Sequence, residues 1–97
     1  TAFRDFAGTV YLYHAVLAQT ISRSTGTAVP LYPIGNGGGA EWLQALQSQH
    51  QAEATALGLG AAPNLTDYLL NDPSDWASFT FTLSQDLQRL RIAAGLT

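Results

Sequence analysis

Apolar residues recur at alternating steps of four and three along the first quarter of the chain. The stripe consists of Phe3, Ala7, Val10, His14, Leu17 and Ile21. In an α-helix each residue turns the chain by about 100°, so this spacing places all of these side chains along one side. The pattern therefore predicts a first amphipathic helix over residues 2–24.

Two further segments show the same periodicity. The second covers residues 40–57, and its stripe is Trp42, Leu43, Leu46, His50, Ala54 and Leu57, with Glu53 beside it. The third begins at Pro73, and its stripe is Trp76, Phe79, Thr80, Leu83, Leu87, Leu90 and Ala94. Glycine and proline cluster between these segments, at 26–39 and 58–63, where they interrupt helical structure.

A short stretch before Pro73 also fits a helix. Asn64 is a suitable N-cap for the segment "LTDYLL" at 65–70, and proline disfavours helical geometry in the residue before it. No segment alternates apolar and polar residues with a period of two, so a sheet is not expected. The sequence predicts one all-α domain over residues 1–97, an antiparallel helical bundle of three long helices and one short helix.

The chain contains two histidines, and both lie within apolar stripes. His14 is near the middle of the first stripe, and His50 is in the second, three residues before Glu53. If the first two helices pair antiparallel, His14 is about 12 residues and His50 about 11 residues from the intervening loop, which predicts that the two share one layer of the bundle. Asp86 lies on the flank of the third stripe.

Three interpretations of this polar layer remain open. The imidazoles form a network of hydrogen bonds with Glu53, nearby hydroxyls or water, or they lie closer to the surface than the stripe suggests. Alternatively, His14 and His50 bind haem or a divalent metal, with Glu53 as a metal ligand, in a bundle that is ferritin-like in shape. A single His-x-x-Glu pair is short of a di-iron ligand set, so we expect no resident cofactor.

Composition narrows the classes of function. Only 11% of the residues are charged, and with four arginines, no lysine and a net charge of −3 there is no basic stripe for nucleic acid. No apolar run reaches the ~20 residues of a membrane span. No serine stands at a fixed spacing from a histidine, so an enzyme is not expected. The chain begins at Thr1 without methionine, which fits a mature secreted or periplasmic chain, a trimmed chain or a fragment.

The last helix also carries apolar residues on the side opposite its stripe. Phe81, Gln85, Gln88 and Ile92 follow steps of four, three and four, which is the spacing of a helical seam. We therefore predict a non-catalytic helical module for protein binding or assembly, whose partner is another protein or a second copy. The alternative function is the haem or metal bundle. The competing interpretation of this face is that residues 65–70 cover Phe81 and that Ile92 is an isolated surface residue.

Overall fold

The computed structural model describes residues 2–32, 34, 39–69 and 71–95. They form three helices: α1 (Ala2–Thr25), α2 (Gly39–Ala56) and α3 (Pro73–Ala93), with no strand in the described ranges. The all-α prediction and the three long helices are thus confirmed. The side chain of Phe3, residues 33 and 35–38 of the predicted 26–39 break, and residue 70 lie outside the described part of the chain.

Local chemistry sets the helix ends. α1 stops at Gly26, whose φ of 74° is accessible to glycine at little cost and whose N–H donates to the Ser22 carbonyl at 2.9 Å. α3 begins after Asp72, whose carboxylate accepts from the backbone N–H of Ser74 at 2.8 Å. Pro73 then occupies the first turn, where its missing N–H leaves no helical bond unmade.

Among the described side chains, the predicted stripes of the three helices face the interior, and their apolar residues form two clusters. The N-terminal cluster consists of Ala7, Val10, Ile34, Trp42, Leu43, Leu46, Leu65, Phe79 and Leu83. The C-terminal cluster consists of Leu17, Ile21, Ala54 and Leu90. Each helix contributes its earlier apolar residues to the first cluster and its later ones to the second.

The three helices run parallel. The ring of Phe6, near the start of α1, lies 6.1 Å from the ring of Trp42, near the start of α2. The same ring lies 5.3 Å from that of Trp76, near the start of α3. All three N-termini are therefore at one end of a body measuring 39 × 21 × 21 Å. The prediction of an antiparallel bundle was wrong.

The linkers are long enough to permit the parallel arrangement. Antiparallel pairing follows when loops are short, but 13 residues separate α1 from α2 and 16 separate α2 from α3. At ~3.3 Å per residue an extended linker of this size spans roughly 40 Å, enough to return along a whole helix. Both linkers do so: the N–H of Tyr32 donates to Gln49 Oε1, and that of Leu65 donates to Gln47 Oε1.

The predicted short helix at 65–70 is absent from its described residues, 65–69. Side chains replace the helical acceptors there: Asn64 Oδ1 accepts from the Thr66 N–H at 2.9 Å, and Asp75 accepts from the Leu69 N–H at 2.8 Å. Asparagine and aspartate compete with helical bonds in this way. Leu65 is fully buried in the N-terminal cluster, so the segment packs on the helices without forming a helix of its own.

Candidate functional site: a buried histidine pair

A layer of polar side chains lies between the two apolar clusters. α1 provides His14, α2 provides Gln49, His50 and Glu53, and α3 provides Asp86. Four of them are completely shielded from solvent, and Asp86 is 4% exposed. Burying so many polar groups is unfavourable unless their donors and acceptors are paired, so the contacts within the layer decide what it does.

The two imidazoles face each other at the centre of the layer. His14 Nε2 lies 3.1 Å from His50 Nε2, and the rings meet edge to face with centroids 4.7 Å apart. The prediction that the histidines share a layer is confirmed, although the helices are parallel. Both residues lie near the middle of their helices, so the shared layer forms in either orientation.

The outer nitrogen of each ring, Nδ1, lies within hydrogen-bonding distance of a carboxylate. His14 Nδ1 lies 2.7 Å from Glu53 Oε2 and 3.0 Å from Glu53 Oε1. His50 Nδ1 lies 2.5 Å from Asp86 Oδ2. The result is a continuous chain from carboxylate to imidazole to imidazole to carboxylate, in which all four ring nitrogens have a partner.

A glutamine connects the Glu53 end of this row of hydrogen bonds to the first linker. Gln49 Nε2 donates to Glu53 Oε2 at 2.8 Å and to the Pro30 carbonyl at 3.0 Å. Gln49 Oε1 accepts from the Tyr32 backbone N–H at 2.7 Å. Because an N–H can only donate, this contact fixes the orientation of the Gln49 amide and makes it a donor to Glu53.

An arginine ties the Asp86 end to the bundle surface. Arg89 Nε donates to Asp86 Oδ1 at 2.9 Å, one helical turn further along α3. Its side chain is 37% exposed, so the positive charge remains partly hydrated. Arg89 Nη1 also reaches the Leu59 carbonyl in the second linker, at 3.4 Å. The chain of polar contacts therefore joins all three helices and both linkers.

Burial and neighbouring charges displace the pKa values of three groups. Burial, together with the charge of His14, lowers the pKa of His50 below 6.5 in spite of the opposing Asp86 and Glu53. Burial raises the pKa of Asp86, but His50 and Arg89 outweigh that effect, and the pKa stays below its ordinary value of 3.8. Burial raises the pKa of Tyr13, opposed by Arg91 and assisted by Glu53.

These pKa shifts predict a loss of stability in acid. Below pH 6.5, His50 binds a proton more readily in the unfolded chain than in the folded chain, and below pH 3.8 the same is true of Asp86. The unfolded state then binds more protons, so stability falls as the pH falls. We expect a lower urea midpoint at pH 4.5 than at pH 7, with an unchanged slope. Asp86→Asn should steepen this dependence, because it removes a carboxylate that opposes the lowering of the His50 pKa, whereas Asp67→Asn, at an exposed carboxylate, should leave it unchanged. An equal midpoint at both pH values would contradict the prediction.

Three residues of this layer were predicted from the sequence pattern. The structure brings His14, His50 and Glu53 together, with Glu53 hydrogen-bonded to His14. The pattern left Asp86 on the flank of its stripe and did not identify Gln49. Two spacings were signals for them: Gln49 and Glu53 are one turn apart on α2, and Asp86 and Arg89 are one turn apart on α3.

In the described part of the chain, no group of three or more histidine, aspartate or glutamate side chains could hold a metal ion. The haem and metal alternative therefore stays a prediction. None of the described helices has the length and hydropathy to cross a membrane. No protein-family model matches the chain, and comparison with curated proteins and with solved structures gives no significant match.

Proposed function

We propose that this chain is a non-catalytic helical module that assembles through the outward face of α3. The observation that supports this is the exposure of two large apolar side chains on that face: Phe81 is 64% exposed and Ile92 is 58% exposed. Gln85 and Gln88 lie between them and are also exposed. We call these four residues the α3 seam.

The α3 seam is suited to desolvation because its neighbourhood carries little charge. Between Asp75 and Arg91, the charged residues of α3 are Asp86 and Arg89. Asp86 points into the bundle, and Arg89 pairs with it. Neutral glutamines are less costly to bury than charged side chains, and interface cores are depleted in charge.

The order of residues in the α3 seam favours a second copy of this chain as the partner. Apolar, Gln, Gln, apolar at steps of four, three and four is the same pattern in both directions. Two copies related by a twofold axis with antiparallel α3 helices would place Phe81 against Ile92 of the second copy, and Gln85 against Gln88 of the second copy. A twofold contact requires this kind of self-complementary surface.

Charge along the bundle supports the same antiparallel arrangement. Because the helices are parallel, the acidic first turns with Asp5, Glu41 and Asp75 lie at one end, and the basic last turns with Arg23 and Arg91 lie at the other. In an antiparallel pair the acidic end of each copy lies beside the basic end of the other. Opposite charges in this position favour the encounter and oppose the parallel alternative.

Replacing the apolar ends of the α3 seam with acid tests the proposal. Phe81→Glu with Ile92→Glu should convert a concentration-dependent dimer into a monomer in analytical ultracentrifugation, with unchanged helicity, because two carboxylates would meet at each end of the contact. One helix face is smaller than the ~800 Å² per partner of a standard interface, so the concentration series should reach the millimolar range. A wild-type chain that is monomeric throughout would contradict the proposal.

Leu12 and Val16 on α1 provide a matched control, since they are 65% and 64% exposed. Leu12→Glu with Val16→Glu makes the same chemical change on another helix and should leave the dimer intact. If both pairs of substitutions dissociate the dimer equally, added charge and not the α3 seam is responsible.

A charge swap tests the orientation of the two copies. Phe81→Lys with Ile92→Glu places opposite charges together only when the helices are antiparallel, and like charges together when they are parallel. We expect this variant to dimerise more strongly than the double-glutamate variant, and more weakly at high salt. Dissociation as complete as that of the double-glutamate variant would contradict the antiparallel arrangement.

A further inference from the structure

We infer that the His14–His50 pair binds one proton between its two Nε2 atoms and retains it at neutral pH. This inference concerns the buried polar layer and is independent of the proposed assembly. It follows from the number of protons that the contacts in the layer require.

Three links connect the four groups, and each link requires one proton. They are Glu53 to His14 Nδ1, His14 Nε2 to His50 Nε2, and His50 Nδ1 to Asp86. Two neutral imidazoles carry two protons in total, and two ionised carboxylates carry none. With the imidazoles neutral, one link would bring together two lone pairs. The layer therefore holds a third proton.

The donors around the carboxylates locate this proton on the imidazoles. Glu53 accepts from the Gln49 amide, whose orientation is fixed, and Asp86 accepts from Arg89. Hydrogen bonds donated to a carboxylate favour its ionised form. Both outer nitrogens then donate to carboxylates, so the third proton lies between the inner nitrogens, His14 Nε2 and His50 Nε2.

The charge of the layer supports the same count. Glu53 and Asp86 contribute two negative charges, and Arg89 contributes one positive charge. One proton on the histidine pair brings the sum to zero, whereas its absence would leave an unbalanced buried negative charge, which is strongly unfavourable. A second proton would leave an excess positive charge, in agreement with the lowered pKa of His50.

Few other charges face the pair. From α1, Tyr13 lies beside His14 with ring centroids 6.1 Å apart; burial raises the pKa of its hydroxyl, which is neutral at pH 7. From α3, Arg91 is exposed to solvent and keeps its charge throughout. In the described chain, the groups around the pair therefore hold a constant charge near pH 7.

The bound proton changes the linkage between folding and pH. At pH 8 an unfolded histidine with a pKa near 6.5 is almost entirely neutral, so unfolding should release about one proton. Stability should therefore decline above pH 6.5 as well as below it, with its maximum near that value. A pair of independent neutral histidines would show the acid decline alone.

Nitrogen NMR of the wild-type chain tests the inference directly. The chain contains two histidines, so every imidazole signal comes from this pair. With ¹⁵N-labelled histidine at pH 7 we expect both Nδ1 atoms protonated and both Nε2 atoms at shifts between those of protonated and unprotonated nitrogen. Independent titration of the rings near pH 6.5, or two neutral rings at pH 7, would overturn the inference. Displacement of both Nε2 signals by stoichiometric Zn²⁺ would instead make the pair a metal site.

Proton release on unfolding provides a second test with an isosteric variant. In Glu53→Gln the new amide donates to His14 Nδ1 while its oxygen accepts from Gln49, so two protons satisfy all three links. Unfolding at pH 8, followed with an indicator dye, should release about one proton from the wild type and none from this variant. Glu41→Gln, at an exposed position on α2, should still release one proton. No release from the wild type, or equal release from Glu53→Gln, would overturn the inference.

Discussion

Phe79→Ala should lower the free energy of unfolding by about 3–5 kcal/mol, the range for removing a buried phenylalanine ring. Phe79 is fully buried. Its ring lies 5.7 Å from Trp42 on α2, 5.6 Å from Tyr68 in the second linker and 5.8 Å from Trp76 on α3. The substitution would leave a cavity where three parts of the chain meet. Because the surrounding rings belong to three separate segments, they can move into this cavity only partly.

Phe81→Ala is the matched control, since it also removes a phenylalanine ring, two residues further along α3. Phe81 is 64% exposed, so we expect a change within about 0.5 kcal/mol. Chemical denaturation with the protein dilute enough to be monomeric should show a lower midpoint for Phe79→Ala at an unchanged slope. Comparable losses for the two variants would contradict the assignment of Phe79 to the core.

The contrast between these two phenylalanines could be predicted from sequence because it depends on helical phase alone. Phe79 lies on the stripe with Leu83 and Leu90, whereas Phe81 is turned about 160° away from Leu83. Helical phase also placed His14 and His50 on the stripes that face the interior, while the depth of their burial stayed open. Apolar periodicity is thus informative about which side of each helix faces the interior.

Apolar periodicity gives no information about the direction of one helix relative to another. A stripe buries equally well against a parallel or an antiparallel neighbour, and the central positions of His14 and His50 give one layer in both cases. The lengths of the linkers, 13 and 16 residues, allow either arrangement. Ring contacts from Phe6 to Trp42 and Trp76 distinguish the two, and such contacts between distant segments are invisible in the spacing of one segment.

The burial of Gln49 and Asp86 was not predicted from the sequence, for a related reason. Each is a polar residue beside an apolar stripe, where small rotations of the helix decide between burial and exposure. Gln49 is fixed by the Tyr32 backbone N–H in the linker, and Asp86 by His50 on α2. Their burial depends on partners from other segments, so a single helical pattern leaves them ambiguous.

The polar layer also specifies the register of the parallel helices. Sliding one helix by a turn would move its side chains by about 5.4 Å, separating nitrogens that now lie 3.1 Å apart. Glu53 or Asp86 would then be buried without an imidazole partner. Apolar clusters on both sides tolerate approximate packing, whereas a hydrogen-bonded layer between them requires one alignment, as polar core residues do in coiled coils.

Glu53→Leu should lower the free energy of unfolding by about 3–5 kcal/mol, the cost of removing one partner of a buried ion pair. The side chain is similar in size, so a cavity contributes little. The loss arises because His14 Nδ1 and the Gln49 amide would each keep a buried donor without its carboxylate acceptor. The proton on the histidine pair would also lose one of the two carboxylates that flank the pair.

Two variants separate this effect from a general intolerance of substitution on α2. Glu41→Leu makes the same change at an exposed position in the first turn and should cost less than about 1 kcal/mol, mainly through the helix dipole. Glu53→Gln preserves both hydrogen bonds and should cost about 1 kcal/mol, the net value of a neutral hydrogen-bond exchange. The expected order of midpoints in urea is therefore Glu41→Leu and Glu53→Gln close to the wild type, with Glu53→Leu well below them. If Glu53→Leu were as stable as Glu41→Leu, the carboxylate would not be a paired acceptor within the core.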